Sequence, residues 1–446
     1  MKFNRLVLML GAALAAPLVP APLAAEPAAR SLTLSQAEDL AIRNHPRITQ
    51  AELSAMVARE QIVQQRSAFF PSIFGHATAV GAADPNNTRV AAGFLNNPSI
   101  YDRNAEGAEV RQLITDFGRT RNLLESSKLR SRAEEKGALA TEAQVLMQLD
   151  ASYFGVLQAL AVEKVAVQTI ATRQTLFEQV AVLATNKLRS EMDLSFARVG
   201  LEDAKLLQSR AENDLAAARA TLTLMLGERD ETNYALAELP LPADLREEAS
   251  ALVQEALQKR PETAQARFEA EAARRFARAE HELSYPVIMA YGAGGVIPVH
   301  GSQFQDNYGA AGVDLSLPIF TGGLYTSRAR AADFQTSRAE ENVRDIENVI
   351  IRDVRVSYQN ARYAKQKLDE TAQLLISTGQ ALDLATARYK VGSSSIIEVS
   401  QAQLNQTAAQ IEQATATYGY LTQRSILNLQ AGRLPPGVSF APGGRR

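Results

Sequence analysis

The residue types that carry most catalytic and metal chemistry are scarce in this sequence. Cysteine is absent, and the four histidines show no metal-ligand spacing (His45, His76, His281 and His300). Without cysteine, a zinc or redox site is not expected. The sequence also holds no phosphate-binding glycine loop and no nucleophile elbow. We therefore predict a protein that is not an enzyme and that has no catalytic residues, no metal and no cofactor.

Composition and charge narrow the possible partners. The 446 residues carry a net charge of −2, so no basic field for nucleic acid is present. Residues 1–25 are predicted to be a secretory signal peptide, because Lys2 and Arg5 precede an apolar run that small residues follow. After residue 25 no uninterrupted apolar run approaches the ~20 residues of a spanning helix. A membrane crossing would therefore need a closed β-barrel.

Long helices dominate the predicted fold. Proline is absent from 99–239 and from 319–434. Because proline costs about 3 kcal/mol inside a helix, these spans permit very long helices. Segments rich in helix-forming residues with a narrow, alanine-rich apolar stripe indicate antiparallel coiled-coil hairpins. The predicted arms are 120–186, 192–226, 325–390 and 397–430. The Lys390-Val391-Gly392-Ser393-Ser394-Ser395 segment is the predicted tip of the second hairpin.

The chain is predicted to be a tandem duplication. Pro46 and Pro71 correspond to Pro261 and Pro286 at one offset of 215, and the glycines that bracket each long hairpin are 109 residues apart in both halves. The predicted division is a signal peptide (1–25), a first repeat (26–227), a linker (228–249), a second repeat (250–432) and a flexible tail (433–446).

Each half also contains a candidate β-hairpin. Residues 311–319 alternate apolar and polar, and weaker alternation occurs at 73–80, 108–114 and 287–293. Two loops are predicted between these strands, at 81–107 and 297–307. Strands of about ten residues are long enough to cross a bilayer when tilted. A small β-domain that caps a helical bundle outside the membrane is the alternative.

These features, in order and twice over, resemble the TolC-like outer membrane efflux protein family across residues 31–434. The marks are Asp-Phe-Gly-Arg-Thr at 116–120, Phe-Thr-Gly-Gly at 320–323, Tyr-Lys-Val-Gly at 389–392 and Ile-Ile-Glu-Val at 396–399. The resemblance implies a mainly α fold with a small β part: a homotrimer whose chains each give four strands to a twelve-stranded barrel in the outer membrane, above a periplasmic α-barrel. It implies a passive exit duct of a tripartite efflux or type I secretion system. The implied partners are outer membrane lipid, a periplasmic adaptor (membrane fusion protein) and an inner-membrane pump of the RND or ABC type.

The resemblance also assigns roles at the hairpin tips. Tyr389 would tie inner to outer helices, with Asp193 as its acidic partner. Glu398 would belong to an acidic ring at the periplasmic aperture, where three carboxylates admit cations and repel anions. Gln401 stands where the family has a second aperture aspartate. The turn that would receive the adaptor comprises Val391, Gly392, Ser393 and Ser394, with Ser394 replacing an arginine that links neighbouring chains.

The two tips are predicted to differ in length. Aligning 184–185 with 385–386 gives an offset of 201, whereas Asp193 and Glu398 give 205. The first turn is therefore expected to lack four residues near Arg189. The opposing functional hypothesis is a non-conducting periplasmic coiled-coil adaptor or scaffold.

Overall fold

A computed structural model describes residues 30–80, 103–230, 232–245, 247–300 and 305–433. The predicted signal peptide, residues 81–102 and 301–304 of the two predicted loops, and the predicted tail beyond residue 433 lie outside the described residues. The elements follow in the order β1 (Arg30–Leu32), α1 (Leu34–Asn44), α2 (Pro46–Ser67), β2 (Ser72–Val80), β3 (Arg103–Thr115), α3 (Arg119–Thr185), α4 (Glu191–Leu226), β4 (Tyr234–Leu236), α5 (Ala249–Lys259), α6 (Pro261–His281), β5 (Val287–His300), β6 (Asn307–Ser316), α7 (Leu324–Lys390) and α8 (Ile396–Gln430).

Two very long helices confirm the prediction of a mainly α fold. Helices α3 and α7 have 67 residues each, which at 1.5 Å per residue is about 100 Å. Their return arms α4 and α8 have 36 and 35 residues. The second half repeats the element order of the first, helix–helix–strand–strand–helix–helix. The domain boundaries given above stay a prediction.

Proline and capping residues define the paired shorter helices. Thr33 forms a capping box with Gln36 at the start of α1. Pro46 then opens α2 and Pro261 opens α6, each at the first helical position, where its missing N–H costs nothing. Helices α1 and α2, and likewise α5 and α6, are thus separated by a single residue and do not form one continuous helix.

The four longer strands form one antiparallel sheet in the order β2-β3-β5-β6. Two of them extend beyond the sequence prediction, since 103–107 and 297–300 are strand and not loop. These extensions pair with each other, for example Arg103 with His300, so ladder hydrogen bonds extend the strands where the side-chain pattern is weak. At the other end β6 stops at Ser316, short of the predicted Ile319. Pro318 lacks the N–H that a continuing ladder needs.

The sheet has one mainly apolar face and one face of mixed polarity. The strand register places Ile73, Val110 and Val313 on one face, with exposed fractions of 69%, 36% and 72%. The same register places Glu109 and Asp314 on the other face. The described part of the chain leaves the apolar face uncovered, and an exposed apolar surface of this kind marks a site that contacts protein or membrane.

The main core lies about half way along α3. Leu146, Leu149 and Tyr153 are fully buried there against α1, α4 and α8. The Tyr153 hydroxyl lies 2.9 Å from the Leu32 carbonyl and 2.8 Å from that of Ala237. It thereby ties the parallel β1–β4 pair, which holds both the N-terminal strand and the inter-repeat segment, to α3.

Helix α3 is, among the described residues, the one helix with an 18-residue stretch apolar enough on average to cross a membrane. This finding concerns mean hydropathy and is compatible with the predicted lack of a long uninterrupted apolar run. Of that stretch, 44% is buried inside the chain.

Candidate functional site

The two hairpin tips end the long helices with the same turn. Five residues separate α3 from α4, and five separate α7 from α8. In each turn the third N–H past the helix donates back to a helix carbonyl at 2.9 Å, from Leu188 to Leu183 and from Ser393 to Arg388. This is the Schellman closure, which needs a left-handed residue just after the helix. Lys187 and Gly392 supply it, with φ of 57° and 78°.

The equal turns correct the predicted four-residue shortening of the first tip. Every boundary of the two hairpins is offset by 205 up to the start of the return arm: Arg119 and Leu324, Thr185 and Lys390, Glu191 and Ile396. The Ala-Thr pairs at 184–185 and 385–386 are therefore not equivalent. Both occur in alanine-rich helix, where short identities recur without structural meaning.

Serine caps place the two predicted carboxylates equivalently. The Ser190 hydroxyl accepts a hydrogen bond from the Asp193 N–H at 3.1 Å, and that of Ser395 accepts one from the Glu398 N–H at 3.4 Å. Each carboxylate thus lies in the first turn of a return helix, where the helix dipole favours negative charge.

A small apolar core joins the two tips. Val180, Tyr389, Ile396 and Val399 are buried in it, each with 6% or less of its surface exposed. Leu176, Phe177 and Leu194 from the first hairpin pack around them. Since all four long helices contribute, the tips of one chain are held together by burial of apolar surface.

Arg189 adds a polar clasp to this core. Its Nη2 donates to the Tyr389 carbonyl at 2.7 Å, and its guanidinium carbon lies 4.2 Å from the centre of the Tyr389 ring. A cation–π contact of this kind contributes about 0.5–2 kcal/mol, more when the ring is shielded from water. The clasp connects the first turn directly to the end of α7.

Tyr389 is buried between the helices. Its hydroxyl group neither donates nor accepts a hydrogen bond among the described residues. Burial raises the pKa of Tyr389, the Arg189 charge lowers it, and the Asp193 charge raises it. Asp193 is thus within electrostatic reach of the tyrosine but is not hydrogen-bonded to its hydroxyl.

Glu398 is not a free carboxylate. Arg388 Nη1 lies 2.9 Å from Glu398 Oε1, and the Ser394 hydroxyl donates to Oε2 at 2.7 Å. The pair is about half exposed, so its electrostatic energy is small, but the net charge of the group is zero. The negative charge that Glu398 was predicted to give to an acidic ring is therefore balanced by Arg388 of the same chain.

The remaining predicted residues lie on the surface of the second tip. Val391 is 79% exposed, and a side chain at Gly392 would meet only open space. Gln401 is exposed and donates to Asn405, one turn further along α8, at 3.0 Å. It lies apart from the hydrogen bonds of Glu398. Ser393 and Ser394 close the turn onto Arg388 and Glu398.

Sequence reasoning missed both arginines. Arg189 lies 205 residues before Ser394 and is therefore its counterpart in the first repeat. The correct offset would have revealed that the arginine expected at position 394 occurs in the other turn. Arg388 lies ten residues before Glu398, a separation that brings them together only across a tight turn.

Comparison with known proteins identifies the family to which this chain belongs. The model of the outer membrane efflux protein family matches residues 38–228 and 252–433, which cover most of both halves. The chain belongs to this family. Its members are channels and not enzymes, and this outer membrane efflux protein is a TolC-like exit duct of the outer membrane.

Two individual relatives can be aligned with this chain over nearly its whole length. Outer membrane protein TolC of Escherichia coli is 25% identical, with 90% of this chain and 84% of TolC covered. Outer membrane efflux protein BepC of Brucella suis is 21% identical over 91% of this chain and 87% of its own.

Solved structures share the fold. A membrane protein from Pseudomonas aeruginosa has a TM-score of 0.79 at 20% identity, with 93% of this chain and 97% of that chain covered. The CmeC outer membrane channel of Campylobacter jejuni has a TM-score of 0.77 at 17% identity, with 90% and 85% covered.

Proposed function

We propose that this outer membrane efflux protein works as a passive homotrimeric duct, in which three copies close their sheets into a twelve-stranded barrel in outer membrane lipid and their long helices into a periplasmic tunnel. The observation that carries the proposal is the exposed apolar face of the β2-β3-β5-β6 sheet beside helices of about 100 Å. Substrate leaves through the shared lumen without chemical change.

The sheet supports closure by other copies. Strands β2 and β6 are its edges, and in the described part of the chain neither has an outer partner. Unpaired backbone groups cannot face hydrocarbon, so a membrane-embedded sheet must close. Closure with the apolar face outward directs Glu109 and Asp314 to a polar lumen.

The tips support a gate at the periplasmic end. The Arg189–Tyr389 clasp and the core beneath it hold the four helix ends together, with Asp193 nearby. Residues Val391 to Ser394 form the exposed turn on which a periplasmic adaptor docks. Opening then requires the clasp to be broken by the adaptor and an inner-membrane pump, RND or ABC in type, that supplies the energy.

The alternative is a non-conducting periplasmic scaffold, for which the apolar sheet face would have to be covered by another protein. Membrane fractionation tests the difference. We expect the protein to stay in outer membranes through a carbonate wash, to need detergent for extraction, and to migrate as a trimer. Release by carbonate as a monomer would overturn the duct and favour the scaffold.

A further inference from the structure

A polar cavity of about 440 Å³ lies between α3 and α8, the long helix of the first repeat and the return arm of the second. Binding pockets for small molecules measure about 300–1,000 Å³, so a small hydrated ligand fits. Helix α8 lines the cavity at the spacing i, i+3, i+4 and i+7, which an amphipathic helix usually fills with apolar side chains. Here that stripe is polar and consists of Gln403, Gln406, Thr407 and Gln410.

Arg173 of α3 brings a buried positive charge to this cavity. Only 8% of its surface is exposed. Among the described residues, Arg173 has neither a hydrogen bond nor an ion pair, and no acidic side chain lines the cavity. A buried charge without a partner is costly, and native structures rarely leave one in that state.

Asp203 of α4 compensates the charge of Arg173 only in part. It is an exposed residue that attracts Arg173 electrostatically without forming an ion pair with it. Burial lowers the pKa of Arg173 by more than the Asp203 charge raises it. The guanidinium lies beside Gly200, where an added side-chain carbon would be 3.0 Å from Nη1. The positive charge therefore remains available to a ligand.

The polar atoms of Arg173, Gln403 and Gln406 that a ligand can reach are hydrogen-bond donors. The amide oxygens of both glutamines are enclosed by protein. Their amide nitrogens and the three guanidinium nitrogens have no partner among the described residues either, but none of these nitrogens is fully enclosed. The cavity thus presents unpaired N–H groups beside a positive charge, which is the chemistry that recognises an oxyanion.

The number of donors indicates the class of oxyanion. A guanidinium alone can donate to both oxygens of a carboxylate. The amide groups of α8 offer further donors, which suit the additional oxygens of a tetrahedral ion.

We propose that this cavity binds a tetrahedral oxyanion of the size of sulfate or phosphate, with Arg173 as its charge partner and Gln403 and Gln406 as further donors. Because α3 and α8 belong to different repeats, the ion would join the two halves of one chain. This binding site goes beyond the duct function and does not depend on it.

Calorimetric titration of the detergent-extracted full-length protein tests the proposal, with sodium sulfate as the probe in a chloride buffer of constant ionic strength. We expect saturable binding of one equivalent per chain. Acetate, which has two oxygens, should bind more weakly than sulfate. Constant ionic strength keeps general screening of surface charges equal throughout, so a saturable signal reports a site.

Four variants locate the binding. Arg173→Gln should weaken sulfate binding at least tenfold, and Gln403→Leu several-fold. Arg132→Gln, which removes an exposed arginine of the same helix, should bind as wild type does. Asp203→Asn should bind sulfate at least as tightly as wild type, because it removes a neighbouring negative charge.

The same titrations can contradict the proposal. If Arg173→Gln does not fold, Gln403→Leu and Asp203→Asn still decide. No saturable binding to wild type, or unchanged binding in Arg173→Gln, would overturn the site. Acetate binding as tight as that of sulfate would overturn the tetrahedral ligand. Weaker binding in Asp203→Asn would show that Arg173 depends on Asp203 as its partner, and would equally overturn the proposal.

Discussion

Arg189 and Arg388 determine the electrostatics of the two tips. The first lies against a buried aromatic ring and a carbonyl, and the second neutralises the carboxylate expected to face the aperture. Neither arginine has a distinctive sequence neighbourhood. Their partners are 200 and ten residues away in the chain, so only the turn geometry brings each pair together.

Removal of the arginine beside Glu398 should change ion selectivity and leave stability nearly unchanged. In Arg388→Gln the Glu398 carboxylates become unpaired, and we expect a higher cation-to-anion permeability ratio from reversal potentials in a salt gradient. Exposed ion pairs contribute about 0–1 kcal/mol, so folding should be unaffected. Arg352→Gln, which breaks the exposed pair with Asp353 on α7, is the control. Unchanged selectivity in Arg388→Gln would place Glu398 outside the conduction path.

Asp150 should make the protein less stable as the pH rises. Its pKa of about 6 in the folded protein, raised by burial, lies above the ordinary aspartate value of 3.8, so protonation favours the folded state. Stability is then lost as the pH rises from about 4 to 6, by roughly 3 kcal/mol for two pKa units. We expect Asp150→Asn to raise the unfolding temperature at pH 8 relative to wild type, and to do so much less at pH 4. An equal effect at both pH values would contradict this explanation.

The long helices are predictable from sequence, whereas the strand extensions and the alignment of the two tips are not. Proline-free, alanine-rich spans predicted α3 and α7 within a residue or two, because helix formation depends on local composition. The strands at 103–107 and 297–300 were missed, since their pairing joins residues nearly 200 positions apart. The first tip was misaligned because Lys187 occupies a left-handed position where glycine is the usual signal.

The two turns allow a paired test of backbone strain. A side chain in the left-handed region costs about 1–2 kcal/mol. Gly392→Ala should therefore destabilise the second tip by about 1 kcal/mol, although its side chain would meet open space. Lys187→Gly relieves the same cost at the first tip, partly offset by chain entropy. Thermal unfolding of both variants should shift in opposite directions, and a shared direction would show that the turns are not equivalent.

At the scale of the whole molecule, the sheet is the part of the fold that a single chain leaves incomplete. Among the described residues its sheet has an uncovered apolar face and two edges without an outer partner, and its tips hold four helix ends together over a core of about ten side chains. The alternation at 311–319 predicted the apolar face, but which molecules cover it depends on assembly, and a single sequence does not encode assembly in a local pattern.

A charge on the apolar sheet face should block membrane assembly. Val313→Asp places a carboxylate on that face, and a charged side chain on a lipid-facing strand costs about 2–4 kcal/mol at the midplane for Arg or Lys and somewhat less for Asp. We expect less protein in the outer membrane fraction and less trimer. Ala310→Asp puts the same charge on the opposite face of β6 and should assemble normally. If both variants assembled equally, the apolar face would not be the lipid-facing one.

The most direct measurement of the central claim is single-channel conductance of the purified trimer in planar bilayers, with Arg189→Ala beside Arg198→Ala. The Arg198 guanidinium carbon lies 5.8 Å from the centre of the Phe177 ring on the first hairpin, so Arg198→Ala removes a cation–π contact that does not involve the Tyr389 ring. We predict small openings for wild type and Arg198→Ala, and several-fold larger ones for Arg189→Ala. Equal conductance in all three proteins would show that the Arg189–Tyr389 clasp does not close the gate. A folded trimer that conducts no ions would contradict the duct function itself.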